Sequence, residues 1–396
     1  MKFAHFSDAH LGSWSGSPDM RDFSVKAFEK AVNACLAERV DFIVISGDLY
    51  DSSMPPYDVL SRSVLILRRC AMASVPVYVV PGSHDYSPSE KTFISVLENA
   101  GLVKNVARMH DENGKLALDF TLDEKTGAKL AGMMGKPGGM EKGYFARLVK
   151  ESAEDETGFR IFVFHSALDD FKPLHMKGMA SVPMSMLPKG FDYYAAGHVH
   201  KPRTITNLVY PGALFPTELA ELEEYEPGIH IIDTERKSNT RLPIKLFDVA
   251  RVDVNADGMT AAEAEKSMLE KVRAAEAKGK LLLVNATGML SSGAPSDVNF
   301  AAIREAGIAA GAFAVKRNFA RLGSAMFEET QSSSFSVETI EREMIAEYCG
   351  KSPPPSRDAA FAAAMMRVLD DEKQEGETIS AYETRIKDNA MKLMNI

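Results

Sequence analysis

Cysteine is scarce in this chain. Its 396 residues hold three, Cys35, Cys70 and Cys349, far apart and without CxxC spacing. A disulfide framework is excluded, and a reduced, cytoplasmic compartment is the expectation. Long apolar runs are missing too. No stretch reaches the roughly 18 uninterrupted apolar residues that a membrane span needs. The opening "MKFAHFSDAH" turns polar too early for a secretion signal and reads as a first strand. Positive charge is in deficit. A formal net charge of -9 argues against a chain that holds nucleic acid by bulk electrostatics. It leaves room for a local basic groove, a metal-assisted site or a basic partner. A P-loop is also absent. The glycine-rich "GKPGGMEKG" (Gly135–Gly143) follows no strand–helix pattern with a P-loop lysine, and reads as a loop. There are no internal repeats.

What is present is an ordinary globular composition, 45% apolar and 26% charged. A sizeable core and two or three domains are expected. Strand candidates are Lys2–Phe6, Phe42–Ser46, Val77–Val80, Arg160–Phe164 and Tyr193–Ala196. Each is a short apolar run, as for strands covered on both faces. Helical spacing marks "RDFSVKAFEKAVNACLAERV", Asp58–Ala71 and Glu90–Ala100. "LALDFTLDEKTGAKLAGMM" reads as a hairpin turning at Lys125-Thr126-Gly127, and "GIHIID" and "RLPIKLFDV" as closing strands. From about Ala250 a βαβαβ pattern begins, with capping-box spacing at Thr260 and Glu263. "TQSSSFS" (Thr330–Ser336) reads as a linker. Beyond it come an amphipathic helix with Val337, Ile340, Met344, Ile345 and Tyr348, a break at "SPPPS", and two further helices.

The sharpest signal is positional. Each of the five strand candidates ends in metal-ligand residue types: Asp8 and His10; Asp48 and Asp51; Ser83, His84 and Asp85; His165; and His198 and His200. In α/β sheets, ligand sites form beyond the carboxyl ends of strands. Imidazole mixed with carboxylate suits Mn, Fe or Zn better than Ca or Mg. Glycines before Asp48, Ser83 and His198 fit sharp turns off the strand ends. The remaining histidines, His5, His110, His175 and His230, lack such company and are expected to be structural or surface residues.

The ordered set DxH, GDxxD, G-x-HD, H and GHxH resembles the calcineurin-like metallophosphoesterases over the first ~235 residues. The resemblance implies an α/β fold: a four-layer sandwich carrying a dinuclear metal site. It places Asp8, His10 and His200 on one metal, Asp48 between both, and His165, His198 and Ser83 on the second. Two cations can activate a solvent molecule and neutralise a phosphoryl group. His84, on the rim, is then the candidate to protonate the leaving oxygen. Asp51 either orients His84 and stabilises its charged form, or caps the loop.

"SDAHLG", "GDLYDSS", "VYVVPGSHD", "GHVHKP" and "YPGA" together resemble the SbcD-type, meiotic-recombination-eleven family of DNA double-strand-break repair nucleases, especially archaeal forms. This implies a nuclease domain (1–248), a small α/β capping domain that contacts DNA (249–329), and a linker with a helical tail (330–396). It implies two Mn2+ ions, DNA as substrate, and an SbcC-type coiled-coil ABC ATPase gripped by the tail. A homodimer through the Asp58–Ala71 and Glu90–Ala100 helices is also implied. The apolar faces of those helices could equally be core, and the tail could equally pack on its own chain. Candidate DNA contacts are Lys201, Arg203, Lys316 and Arg317, with Arg321 and Asn318 close by. The chain departs from the family pattern at two positions. Ser83 stands where asparagine is usual, and offers a shorter, weaker ligand. Asp51 stands where many of these nucleases have a histidine associated with exonuclease action.

Overall fold

The computed structural model describes residues 1–87, 92–171, 180–325, 359–371, 374 and 379–394. The Thr330–Ser336 linker, the first tail helix, the SPPPS break, His175 and the start of the expected Glu90 helix lie outside them.

Along the chain come β1 (Lys2–Phe6), α1 (Phe23–Ala37), β2 (Phe42–Ser46), α2 (Tyr57–Met72), β3 (Val77–Val80), α3 (Phe93–Asn99) and β4 (Lys104–Asn105). Then follow β5 (Met109–Glu112), β6 (Lys115–Leu118), β7 (Thr121–Leu122), β8 (Lys129–Met133), α4 (Lys142–Arg147), α5 (Lys150–Glu154), β9 (Arg160–His165) and β10 (Tyr193–Gly197). After these come β11 (Arg203–Ile205), β12 (Leu208–Tyr210), α6 (Glu221–Glu224), β13 (Gly228–Asp233) and β14 (Ser238–Pro243). From Val249 on come β15 (Val249–Asn255), α7 (Ala261–Ala274), β16 (Leu281–Leu290), α8 (Phe300–Ala309) and β17 (Ala314–Ser324).

Two six-stranded sheets, ordered β14-β13-β1-β2-β3-β4 and β11-β12-β10-β9-β8-β7, lie face to face. Between them is a core of Phe3, Phe42, Val44, Tyr78, Leu130, Val163, Tyr193 and Val209. Phe3 stacks on Phe42 with ring centres 5.0 Å apart. α1 and α2 cover the outer face of the first sheet. α4 and α5 and their loops cover the second. The expected four layers are present. They explain why β1, β2, β3, β9 and β10 read as continuous apolar runs, for neither face meets water.

His5 ties the two sheets together. Its Nε2 bonds Ser46 Oγ (2.8 Å) and its Nδ1 bonds Tyr193 Oη (2.9 Å). Burial keeps this ring well below the usual histidine range, and so neutral. β1–β2, β2–β3 and β9–β10 are parallel pairs, so their carboxyl ends point the same way.

Two expected strands are displaced. In the long hairpin only Thr121–Leu122 pairs across the turn, with Lys129–Leu130, while β6 pairs with β5 instead. The closing strand begins at Ser238 rather than Arg241, because pairing with β13 starts immediately after a turn at Lys237, φ +51°.

β15, β16 and β17 form an all-parallel sheet packed by α7 and α8. The capping box is made as read: Thr260 N donates to Glu263 Oε2 (2.8 Å), and Glu263 N to Thr260 Oγ1 (3.2 Å). Leu281, Leu283 and Ala314 face the core under α1 and α2. Phe313 meets Phe23 and Phe247 at ring distances of 5.4 and 5.2 Å. The helices Ala359–Leu369 and Ile379–Met394 contact each other.

Candidate metal centre

The loops that leave β1, β2, β3, β9 and β10 meet at one end of the sandwich. Four residues there sit on left-handed backbone: Asp8 (φ +52°), His10 (+42°), Asp48 (+48°) and His198 (+86°). Non-glycine residues are rare in that region, and the strain collects at functional sites. Neighbouring turns hold it in place, with Asp8 N donating to Gly47 O and His10 N to Asp48 O, both at 3.0 Å.

Of the three glycines expected to make sharp turns, only Gly47 (φ +92°) is left-handed. Gly82 and Gly197 serve close packing instead. A Cβ at Gly82 would overlap Asp48, and one at Gly197 would overlap the Ser46 carbonyl. Gly135 packs against the His165 ring in the same way.

The imidazoles share one orientation. His165 Nδ1 lies 2.9 Å from the Ser46 carbonyl, which can only accept, so Nδ1 carries the hydrogen. In the neutral ring Nε2 is then a bare lone pair, 3.1 Å from Asp48 Oδ2 and outside hydrogen-bond alignment. His200 Nδ1 faces Glu221 Oε1 at 2.6 Å, and its Nε2 meets His10 Nε2 at 3.1 Å. His10 Nδ1 is 3.3 Å from Asp51 Oδ1. Carboxylates or carbonyls stand on the Nδ1 side of all three rings, and the Nε2 sides converge on the buried carboxylates of Asp8 and Asp48. Among the described residues no lysine or arginine forms an ion pair with either carboxylate.

Lone pairs facing lone pairs and carboxylates repel unless protons or cations lie between them. The donor set therefore fits divalent cations. Ligand atoms fall within 4.8 Å of one another in three groupings: Asp8–His10–His200, Asp48–His165–His198 and His10–Asp48–His84. Proton affinities report the same field. Burial disfavours charge on His165, but Asp48 outweighs it and pushes the ring up to about 10. His200 is likewise pushed up to about 9, against burial, by Glu221 and Asp8. Burial and the neighbouring His165 hold His198 down to about 4. Burial works to raise Asp48, yet the surrounding imidazoles hold it well below the usual carboxylate range.

On the rim, His84 is exposed and its Nδ1 bonds Asp51 at 2.8 Å. The acceptor is the backbone carbonyl of Asp51, while the carboxylate faces His10. The carboxylate–His84 pairing considered for Asp51 is thus corrected: its loop turns the side chain inward. The carbonyl fixes the hydrogen on His84 Nδ1 and leaves Nε2 as the exchangeable position. Ser83 Oγ lies 3.4 Å from Asp48 Oδ2, and His84 N donates to Asp48 Oδ1 (2.8 Å).

Asp85, one of the strand-end ligand types, has a different role, and one residue, Glu221, escaped sequence reasoning. Asp85 is buried and accepts from the N–H groups of Leu49, Tyr50 and Gly82 at 3.0–3.1 Å, locking the β2 loop onto the β3 loop. Glu221 lies in an acidic run with no spacing relation to His200. It accepts from the Thr217 and Glu218 N–H groups (2.7 and 3.2 Å), which aim it at His200.

Lys201 and Arg203 are exposed beside His200, and Arg317 is exposed with its guanidinium over the rings of Phe300 and Phe319. Lys316 also has partners within the chain. It is half-buried, its ammonium donates to Ser17 Oγ and it lies 5.7 Å from the Trp14 ring centre. It thereby ties β17 to the loop after His10. Among the other histidines, His230 bonds Asn239 and His110 bonds Asp119.

Comparison with known proteins agrees with this geometry. The chain is 30% identical over 233 residues to the DNA double-strand break repair protein Mre11 of Aeropyrum pernix, covering 56% of this chain and 55% of that protein. It is 26% identical over 311 residues to the Archaeoglobus fulgidus protein of the same name, covering 70% and 67%. With the Sulfurisphaera tokodaii protein the figures are 30% over 203 residues, covering 50% and 49%. The chain thus spans about half to two thirds of the length of these relatives. The calcineurin-like phosphoesterase family profile matches residues 1–202. This match, over the segment that holds every converging ligand, shows that the chain belongs to the calcineurin-like phosphoesterases.

Proposed function

We propose that the chain is an Mn2+-dependent DNA nuclease that hydrolyses phosphodiester bonds at DNA ends in double-strand-break repair. The observation that carries this reading is the convergence of His10, His165 and His200 Nε2 on Asp8 and Asp48. The names of the archaeal relatives support DNA as the substrate. Asp8, His10 and His200 would hold one cation, and His165, His198 and Ser83 a second, with Asp48 shared by the two sets. Divalent cations at this site would supply Lewis acidity, polarising a phosphodiester and acidifying water. The chain's own residues do the rest. Glu221 and the Ser46 carbonyl hold a ring hydrogen on Nδ1 of His200 and His165, which makes Nε2 the ligand atom. His84 holds a proton at Nε2 for the leaving oxygen, with Nδ1 anchored on the Asp51 carbonyl. Lys201, Arg203 and Arg317 offer phosphate contacts.

The unit from Val249 acts as the capping domain. The tail, with Met366 and Leu369 exposed, grips the coiled-coil root of an SbcC-type ABC ATPase. A second copy of the chain is the partner for α2, where Tyr57, Leu65 and Met72 lie on one stripe and are 88%, 60% and 78% exposed. No helix among the described residues is long and apolar enough to cross a membrane, and the cytoplasm is the proposed compartment.

Incubation of linear duplex and single-stranded DNA with the chain and Mn2+ tests the activity. Cleavage is expected. Turnover of a small phosphodiester with both DNAs left intact would sink the nuclease reading. Deleting residues after Thr330 is expected to abolish ATPase binding while Mn2+-dependent hydrolysis of a small diester persists.

A further inference from the structure

The glycine-rich loop read as having no phosphate role places a lysine at the wall of the metal-ligand cluster. Gly135 lies against the His165 ring, and its N–H donates to the Pro81 carbonyl at 2.9 Å, just before the Gly82–Asp85 turn. Lys136 follows directly. Its backbone is pinned by the buried carboxylate of Glu141. Lys136 N donates to Oε2 (3.2 Å), while Oε1 accepts from Ser166, the neighbour of His165 (2.7 Å).

The Lys136 side chain lies between two tyrosines. Nζ donates to the Tyr144 hydroxyl (2.6 Å) and lies 4.2 Å from that ring's centre. It is 5.2 Å from the centre of the Tyr86 ring, two residues past His84. Among the described residues the lysine ion pairs are those of Lys2, Lys125, Lys129 and Lys245, and none of the described carboxylates neutralises Lys136. In a chain of net charge -9, an ammonium whose described partners are neutral groups is a ready anion contact. Two phenol rings fix its position by cation–π attraction without cancelling its charge.

We propose that Lys136, held by Tyr86 and Tyr144, is a subsite for the backbone phosphate next to the scissile one. The ligand is a single nucleic-acid strand crossing the rim past His84. The inference rests on the nuclease reading and adds a positioning contact to it. The alternative role is a clamp that only stiffens the loop. A methionine keeps the apolar stem and removes the charge, and an arginine keeps the charge.

The test uses the full chain loaded with Mn2+ and a fluorescent phosphorothioate oligothymidylate that resists cleavage. Affinity is read by anisotropy across a salt series. Metal stoichiometry is read by titration calorimetry. Lys136→Met is expected to weaken binding about five- to tenfold at low salt. The slope of log affinity against log salt should become shallower by about 0.7, one phosphate contact on a single strand. Lys136→Arg should restore both, and the cation count should match the wild type. Wild-type affinity and slope in Lys136→Met would overturn the subsite. So would a loss that arginine does not restore, or a loss accompanied by loss of cations, either of which marks a clamp. If the wild-type chain itself shows no salt-dependent binding, the nuclease reading and the subsite fail together.

Discussion

His165 presents Nε2 to Oδ2 of Asp48 at 3.1 Å while its Nδ1 faces the Ser46 carbonyl at 2.9 Å. The ring cannot satisfy both contacts when neutral. A proton or a cation must lie on the Nε2 side, and the two compete for it.

That competition has a measurable sign. His165 and His200 are pushed up to about 10 and about 9, so in the metal-free protein both hold protons at neutral pH. Ligation through Nε2 expels those protons. Apparent affinity is therefore expected to rise with pH from 6 to 9, and binding to release up to two protons. Titration calorimetry in buffers of different ionisation enthalpy reads the proton count. A count of zero would contradict the assigned ligand atoms.

Glu221 acts through His200, which it holds at 2.6 Å. Replacing it by alanine frees the ring, and replacing it by glutamine sets an amide against the Thr217 and Glu218 N–H groups. Either change should weaken one of two metal-binding events by about ten- to a hundredfold, the usual cost of losing a carboxylate behind a metal-bound histidine. Metal titrations of Glu221→Ala showing wild-type affinity would remove Glu221 from the site.

His84 and Asp51 separate cleanly. His84→Ala should lower kcat by about 10^2–10^4, the range for general acid–base groups, with metal affinity little changed. Asp51→Ala keeps the carbonyl that anchors His84 and loses the carboxylate beside His10. It should act mainly on the affinity of the cation held by His10. If Asp51→Ala reproduces the His84→Ala profile instead, the carboxylate serves His84 after all.

Ser83→Asn restores a carbonyl donor with longer reach next to Asp48. The weaker of the two binding events should tighten by about tenfold, or about 1.4 kcal/mol. Unchanged affinity and rate would mean that position 83 contributes nothing to the second cation.

The site was legible because its ligands end short apolar strands, and a strand's carboxyl end fixes where the next residues go. Asp8, Asp48 and His165 could be placed together for that reason. Where a loop side chain turns is another matter. Asp51 faces His10 because its loop is held by Asp85 and by the parallel bridge between Leu11 and Tyr50, contacts that span tens of residues. The surroundings of Lys316 were hidden for a similar reason. Its partners, Ser17 and Trp14, lie some 300 positions away and meet it only once β17 docks. Glu221 shares no spacing pattern with the histidine it holds. Gly82 and Gly197 looked like turn formers, but only their neighbours in space, Asp48 and the Ser46 carbonyl, reveal that they serve close packing.

The most direct test of the two-cation nuclease is Mn2+ titration of the wild type and His84→Ala, paired with cleavage of linear DNA. Two equivalents bound by both proteins, with cleavage by the wild type and its loss in His84→Ala, is the expected result. A single equivalent, or undiminished cleavage by His84→Ala, would contradict the account.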